Sequence, residues 1–166
     1  MEEPMSRQWI DLIAVLAQLI DEHRKLLAEV QRHQTAIKTM DVLAMDASRL
    51  RQEGLRMVIS QLDNRRHILS MQIAAASKVV APTLTKLAEL NPAHRAKILA
   101  QRDELRAIAA QINQHSRVAG KVAGAVLGHL NTVVRILAGA MQQAGVYTQR
   151  GVPKMAARVG VIEAIG

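Results

Sequence analysis

Six histidines, fourteen carboxylates and no cysteine are the groups with which this 166-residue chain could do chemistry. Two of their pairings, Glu29 with His33 and Asp63 with His67, are each four residues apart and so share a helix face. A two-metal site in a helical bundle instead needs Glu-x-x-His on two helices and further Glu residues on two others. The sequence does not contain that set. His23 falls within an apolar seam, where a hydrogen-bonded place in a helix layer is the simpler reading. Without cysteine there is no disulfide, thiolate zinc site or thiol nucleophile. No glycine-rich phosphate loop and no nucleophile–base arrangement occurs. The sequence therefore predicts no enzyme, no cofactor and no metal, which leaves binding as the function to look for.

Candidates for binding lie late in the chain. Gly120, Gly124 and Gly128 recur every four residues in a helical stretch, where each costs about 1 kcal/mol relative to Ala. At about 100° per residue they project to the flank and far side of the apolar seam, with Arg117, Lys121, Asn131 and Arg135 nearby. Either another helix of the same chain packs closely on these glycines, or they floor a shallow, basic-edged groove for a partner helix. The eight methionines pose a similar choice between core filling and an adaptable surface, and core filling is the simpler reading. Tyr147 follows the end of this helix among polar residues. It is either a partner anchor or folded back on the helices.

The elements that must position these residues are helices. Trp9 and Tyr147 are the only aromatics, and strands draw heavily on aromatic and β-branched residues. Trp9, Leu12, Ile13, Leu16, Leu19, Ile20, Leu26, Val30 and Ile37 form a seam at 3–4 spacing. That predicts a helix capped at Ser6 and running to about Thr39. Asp41 caps a second helix, with a seam through Leu55, Val58, Leu62, Leu69, Ile73, Ala76 and Val80, and Pro82 ends it or begins the link. Thr83 to Leu90 suits a short helix. Asn91-Pro92 then starts a third long helix, because Asn caps well and Pro at the first helical position loses no needed hydrogen bond. From there Ile98, Leu105, Ile112, Ala119, Val126, Val133 and Ala140 recur every seven residues.

A helix from Pro92 to Gln143 would be roughly 78 Å long, whereas a compact chain of this length has a radius of gyration of about 15 Å. The expected fold is all-α: an elongated antiparallel bundle of three long helices plus a short connecting helix, with coiled-coil-like packing. Residues 1–144 would form the bundle. Gly145, Gly151, Pro153 and Gly160 mark residues 145–166 as a C-terminal tail.

Charge and hydropathy narrow the partners. The formal net charge is +8, yet residues 1–60 hold nine acids and eight bases. After Glu104 the next acid is Glu163, with Arg117, Lys121, Arg135, Arg150, Lys154 and Arg158 between. Such a stripe attracts nucleic acid, an anionic membrane or an acidic protein, but no nucleic-acid-binding signature accompanies it. The Met1-Glu2-Glu3-Pro4 start lacks the basic residues of a signal peptide. A membrane span needs about 20 predominantly apolar residues. Asp11 and Gln18 interrupt the first apolar segment, and His129 and Asn131 the last. The expectation is a soluble, cytoplasmic protein with no membrane insertion.

The second half carries a family likeness. The stretch Leu84-Thr85-Lys86-Leu87-Ala88-Glu89-Leu90, then Asn91-Pro92, then Leu99-Ala100-Gln101-Arg102-Asp103-Glu104-Leu105-Arg106, resembles flagellar export chaperones of the FlgN type. So do Ile112-Asn113-Gln114-His115-Ser116-Arg117 and Leu130-Asn131-Thr132-Val133-Val134-Arg135-Ile136-Leu137. Gln142-Gln143-Ala144-Gly145-Val146-Tyr147, with Gly151 four residues later, completes the series. The first half is similar in layout, with Glu22-His23 in a long helix and a break ending at Asp41.

The resemblance implies a cytoplasmic chaperone without catalytic chemistry. Such a protein holds hook-associated flagellar proteins by their helical terminal segments and delivers them to the flagellar export gate. It implies that Tyr147 contacts the gate. The partner-binding residues expected are Arg117, Gly120, Lys121, Gly124, Gly128, Asn131, Arg135 and Tyr147. Two alternatives stay open: a self-associating coiled-coil structural or adaptor protein, for instance a homodimer, and a basic nucleic-acid-associated helical protein.

Overall fold

A computed structural model describes residues 3–145. Four α-helices occupy them, with no strand among the described residues: α1 (Glu3–Thr39), α2 (Val42–Ala76), α3 (Leu84–Leu90) and α4 (Pro92–Gly145). The all-α class is as expected. Two compact units divide the chain, Met1–Val122 and Ala123–Gly166, so the last part of α4 belongs to the second.

Helix boundaries follow local chemistry. Asp41 caps α2, its Oδ1 accepting from the Ala44 N–H at 2.9 Å, and Thr83 caps α3 through a bond from the Lys86 N–H at 3.2 Å. The Asn91 carbonyl accepts from the His94 N–H at 3.1 Å as α4 begins. Two expectations need correction. Ser6 is not a cap, because α1 already begins at Glu3, and α2 stops at Ala76, six residues before Pro82.

α1 and α2 end in the same way, and this is why the proline is not needed. After α1, the Asp41 N–H reaches the Ala36 carbonyl and the Met40 N–H the Ile37 carbonyl. After α2, Val79 reaches Ala74 and Lys78 reaches Ala75. These paired bonds turn the chain through one left-handed residue. Met40 (φ 55°) and Lys78 (φ 54°) hold that place, where glycine is the usual occupant.

In the first unit α1 and α2 pack antiparallel. Glu29 of α1 meets Ser48 of α2 near the connecting turn, while Trp9, Leu12 and Leu16 meet Ile73 at the far end. α4 runs parallel to α1, as an up, down, up order requires. Gln101 Nε2 donates to the Ile13 carbonyl at 3.1 Å, and His115 Nδ1 pairs with Gln34 Oε1 at 2.9 Å. Leu12, Leu16, Ile73, Leu87 and Ile98 are fully buried where all four helices meet, each contributing about 1.5–3 kcal/mol by burial.

The α2 seam differs from the expected one. Val58, Ala76 and Val80 are exposed, and Leu55, Ile59, Leu62, Leu69 and Ile73 face inward. Leu50, Met57 and Ile68 are exposed as well. With apolar residues on both sides of α2, periodicity alone cannot select the buried face.

A polar lock sits near the α1–α2 turn. Glu29 is only 5% exposed. Ser48 Oγ donates to its carbonyl at 2.9 Å, Arg51 Nε lies 3.0 Å from Oε2, and Arg32 pairs with Oε1. Burial pushes the Glu29 carboxyl up most strongly, but hydrogen bonds and charge from Arg51 and Arg32 together outweigh it and hold the carboxyl below its ordinary value.

Candidate partner-binding surface

Among the described residues no group of three or more His, Asp or Glu side chains could hold a metal. His23 sits in the α1 seam, its Nδ1–H donating to the Leu19 carbonyl at 2.7 Å. That is the layer role expected of it.

The heptad row of α4 changes character along its length. Ile98 is buried, Leu105 and Ile112 are half-buried and Ala119 is buried. In the second unit Val126 is half-buried, while Val133 and Ala140 are exposed. Around this part of the row stand Leu127 (66% exposed), Leu130, Val134 and Leu137, all exposed. At about 100° per residue these residues fall on one arc of the helix. An exposed apolar arc of this kind is a candidate interaction surface.

The residues singled out from the sequence lie elsewhere on α4. In the second unit, Gly124, Gly128, Asn131 and Arg135 occupy the side opposite Leu130, Val133 and Leu137. In the first unit, Arg117, Gly120 and Lys121 are exposed, and Arg117 and Lys121 border a shallow depression with Asn113 and Gln114. A Cβ placed on Gly120, Gly124 or Gly128 meets no described atom within 4 Å. No described helix packs closely on them. Tyr147 lies outside the described residues.

Sequence reasoning thus missed the apolar row itself as a surface, having assigned it to the core. Helix length was the available signal. α1 has 37 residues, α2 has 35 and α4 has 54, about 56, 53 and 81 Å at 1.5 Å per residue. The helix that carries the row is longer than either α1 or α2.

α4 also exceeds the sequence reading in hydropathy. Within Pro92–Ala140 an 18-residue window averages 1.4 with none of it buried, so by length and composition alone this helix is apolar enough to cross a membrane. That corrects the expectation that no segment qualifies. His129 and Asn131 are outweighed by the Val, Leu, Ile and Ala residues around them.

Among the described residues the fold has helices and no strand, and an apolar row is exposed on its longest helix. The family model described as FlgN protein matches residues 5–154, and the chain belongs to the FlgN family. This is a family of flagellar export chaperones and is not known as an enzyme family. No curated protein and no solved structure matches the chain.

Proposed function

We propose that this protein is a cytoplasmic flagellar type III export chaperone that holds hook-associated subunits and delivers them to the export gate. One observation carries the reading: among the described residues Leu127, Leu130, Val133, Val134 and Leu137 present an exposed apolar arc in the second unit. A terminal helix of a subunit laid along that arc would bury both apolar faces, the helix-in-groove mode of recognition. Family membership supports the same kind of partner. Gly124, Gly128, Asn131 and Arg135 form a second side of the helix for a partner backbone. Arg117, Gly120 and Lys121 are proposed as contacts in the first unit. Residues 145–166 serve as a delivery tail, with Tyr147 as its aromatic anchor on the gate.

Co-purification of the chain with hook-associated candidates tests the capture step, using Val133→Asp with Leu137→Asp as the disabled variant. Two buried anchors replaced by charge weaken binding by a hundredfold or more, since a hot-spot loss is about 2 kcal/mol each. Equal capture by both proteins overturns the proposed face. Tyr147→Ala should lower gate affinity and motility while capture stays intact.

A further inference from the structure

We infer that a groove in the first unit, between α2 and α4 and floored by α1, is a second docking site, shaped for an acidic amphipathic helix of a partner protein. It goes beyond the subunit-binding arc, which lies in the other unit.

The groove encloses about 480 Å³, within the range of ligand-sized pockets, about 300–1,000 Å³. It has room for a few inserted side chains rather than a whole helix. Leu19 and Leu26 of α1 form its buried floor, and half-buried Ile59 of α2 and Leu105 of α4 form its walls. Three helices thus leave an apolar furrow of the kind a fourth helix fills with residues at i, i+3, i+4 and i+7.

The rim decides the partner's charge. Arg66 is neutralised by Asp63, with Nε 2.7 Å from Oδ1. Arg56, on the α2 wall, reaches only the neutral Gln52 Oε1, at 3.4 Å. Arg106, on the α4 wall, is exposed and makes no hydrogen bond or ion pair among the described residues. An uncompensated guanidinium therefore stands on each side of the furrow. A helix whose apolar stripe is flanked on both sides by Glu or Asp satisfies both at once, with the planar fork suited to carboxylates. The chain's own remaining candidates carry the wrong sign. The later part of α4 has Arg135 and no acid, and residues 146–166 carry Arg150, Lys154 and Arg158 against Glu163 alone.

Two synthetic amphipathic helices with identical leucine seams, one flanked by Glu and the other by Lys, serve as probes in fluorescence anisotropy with the full chain. The Glu probe should bind about tenfold tighter than the Lys probe, and Arg56→Glu or Arg106→Glu should each weaken it by about five- to tenfold. Both arginines are exposed, and circular dichroism verifies that the variants keep their helicity. Val133→Asp should leave the Glu probe unaffected, although it weakens subunit capture. Equal binding of the two probes would overturn the inference. So would weakening by Val133→Asp alone, which would place the probe on the α4 arc, or a concentration-dependent dimer abolished by Arg106→Glu, which would assign the groove to a second copy.

Discussion

Replacing Gly124 and Gly128 together by Ala tests how the two sides of α4 differ. A Cβ at either position meets nothing within 4 Å, so the substitution brings no packing gain and no clash. What remains is helix propensity, about 1 kcal/mol per site and about 2 kcal/mol for the pair. Amide hydrogen exchange around residues 120–135 reads this directly, because exchange reports the free energy of local opening. Protection there should rise roughly thirtyfold, the equivalent of 2 kcal/mol. Faster exchange would mean that the glycines accommodate a closely packed neighbour, refuting the open-face reasoning. Subunit affinity of the same variant separates the two faces. Unchanged affinity locates binding on the Leu130–Val133–Leu137 side, whereas a loss restores the glycine side as the contact.

Two further outcomes concern the first unit. Despite burial, the Glu29 carboxyl is held below its ordinary value in the folded chain by Arg51 and Arg32, so the stability it contributes is complete above that ordinary value and is lost as pH falls through the folded one. Glu29→Gln should cost about 1–2 kcal/mol near neutral pH, as charge-assisted hydrogen bonds are replaced by weaker ones, and should flatten the acid limb of a denaturation series; an unchanged acid limb refutes the assignment. Met40→Gly should raise stability by about 1 kcal/mol, relieving a left-handed methionine at the end of α1; a fall in melting temperature would show that the Met40 side chain contributes more than the strain costs.

Helix positions were legible where punctuation is chemical. Asp41 and Asn91-Pro92 mark true starts, and the seam from Trp9 to Ile37 is the buried face of α1. Ser6 misled because a good capping residue is also tolerated inside a helix. Pro82 misled because Lys78 closes α2 with a turn that carries no glycine signal. The Glu29–Ser48 lock was illegible, since a buried carboxylate looks like any charged residue until the helix with Ser48 and Arg51 is laid against it. The row through Val126 and Val133 was read correctly as apolar and wrongly as covered, because periodicity reports a sticky face without naming what covers it. Arg56 and Arg106 are 50 residues apart, and only the fold sets them on facing walls.

The parallel run of α4 beside α1 also sets an order of assembly. Contacts of the α1–α2 hairpin near its turn join residues as close as 19 apart in sequence, as between Glu29 and Ser48. Those joining α1 to α4 span 88 for Ile13 and Gln101, and 81 for Gln34 and His115. Closing the longer loops costs more chain entropy and is slower. During synthesis the hairpin can therefore zip from its turn while α4 is still being made, with Trp9, Leu12 and Leu16 waiting half-dressed for Leu87 and Ile98 to arrive. Slippage of the nascent hairpin is resisted meanwhile by a polar layer it already contains, because the bonds of Glu29 to Ser48 and Arg51 across the two helices would be lost in a shifted register.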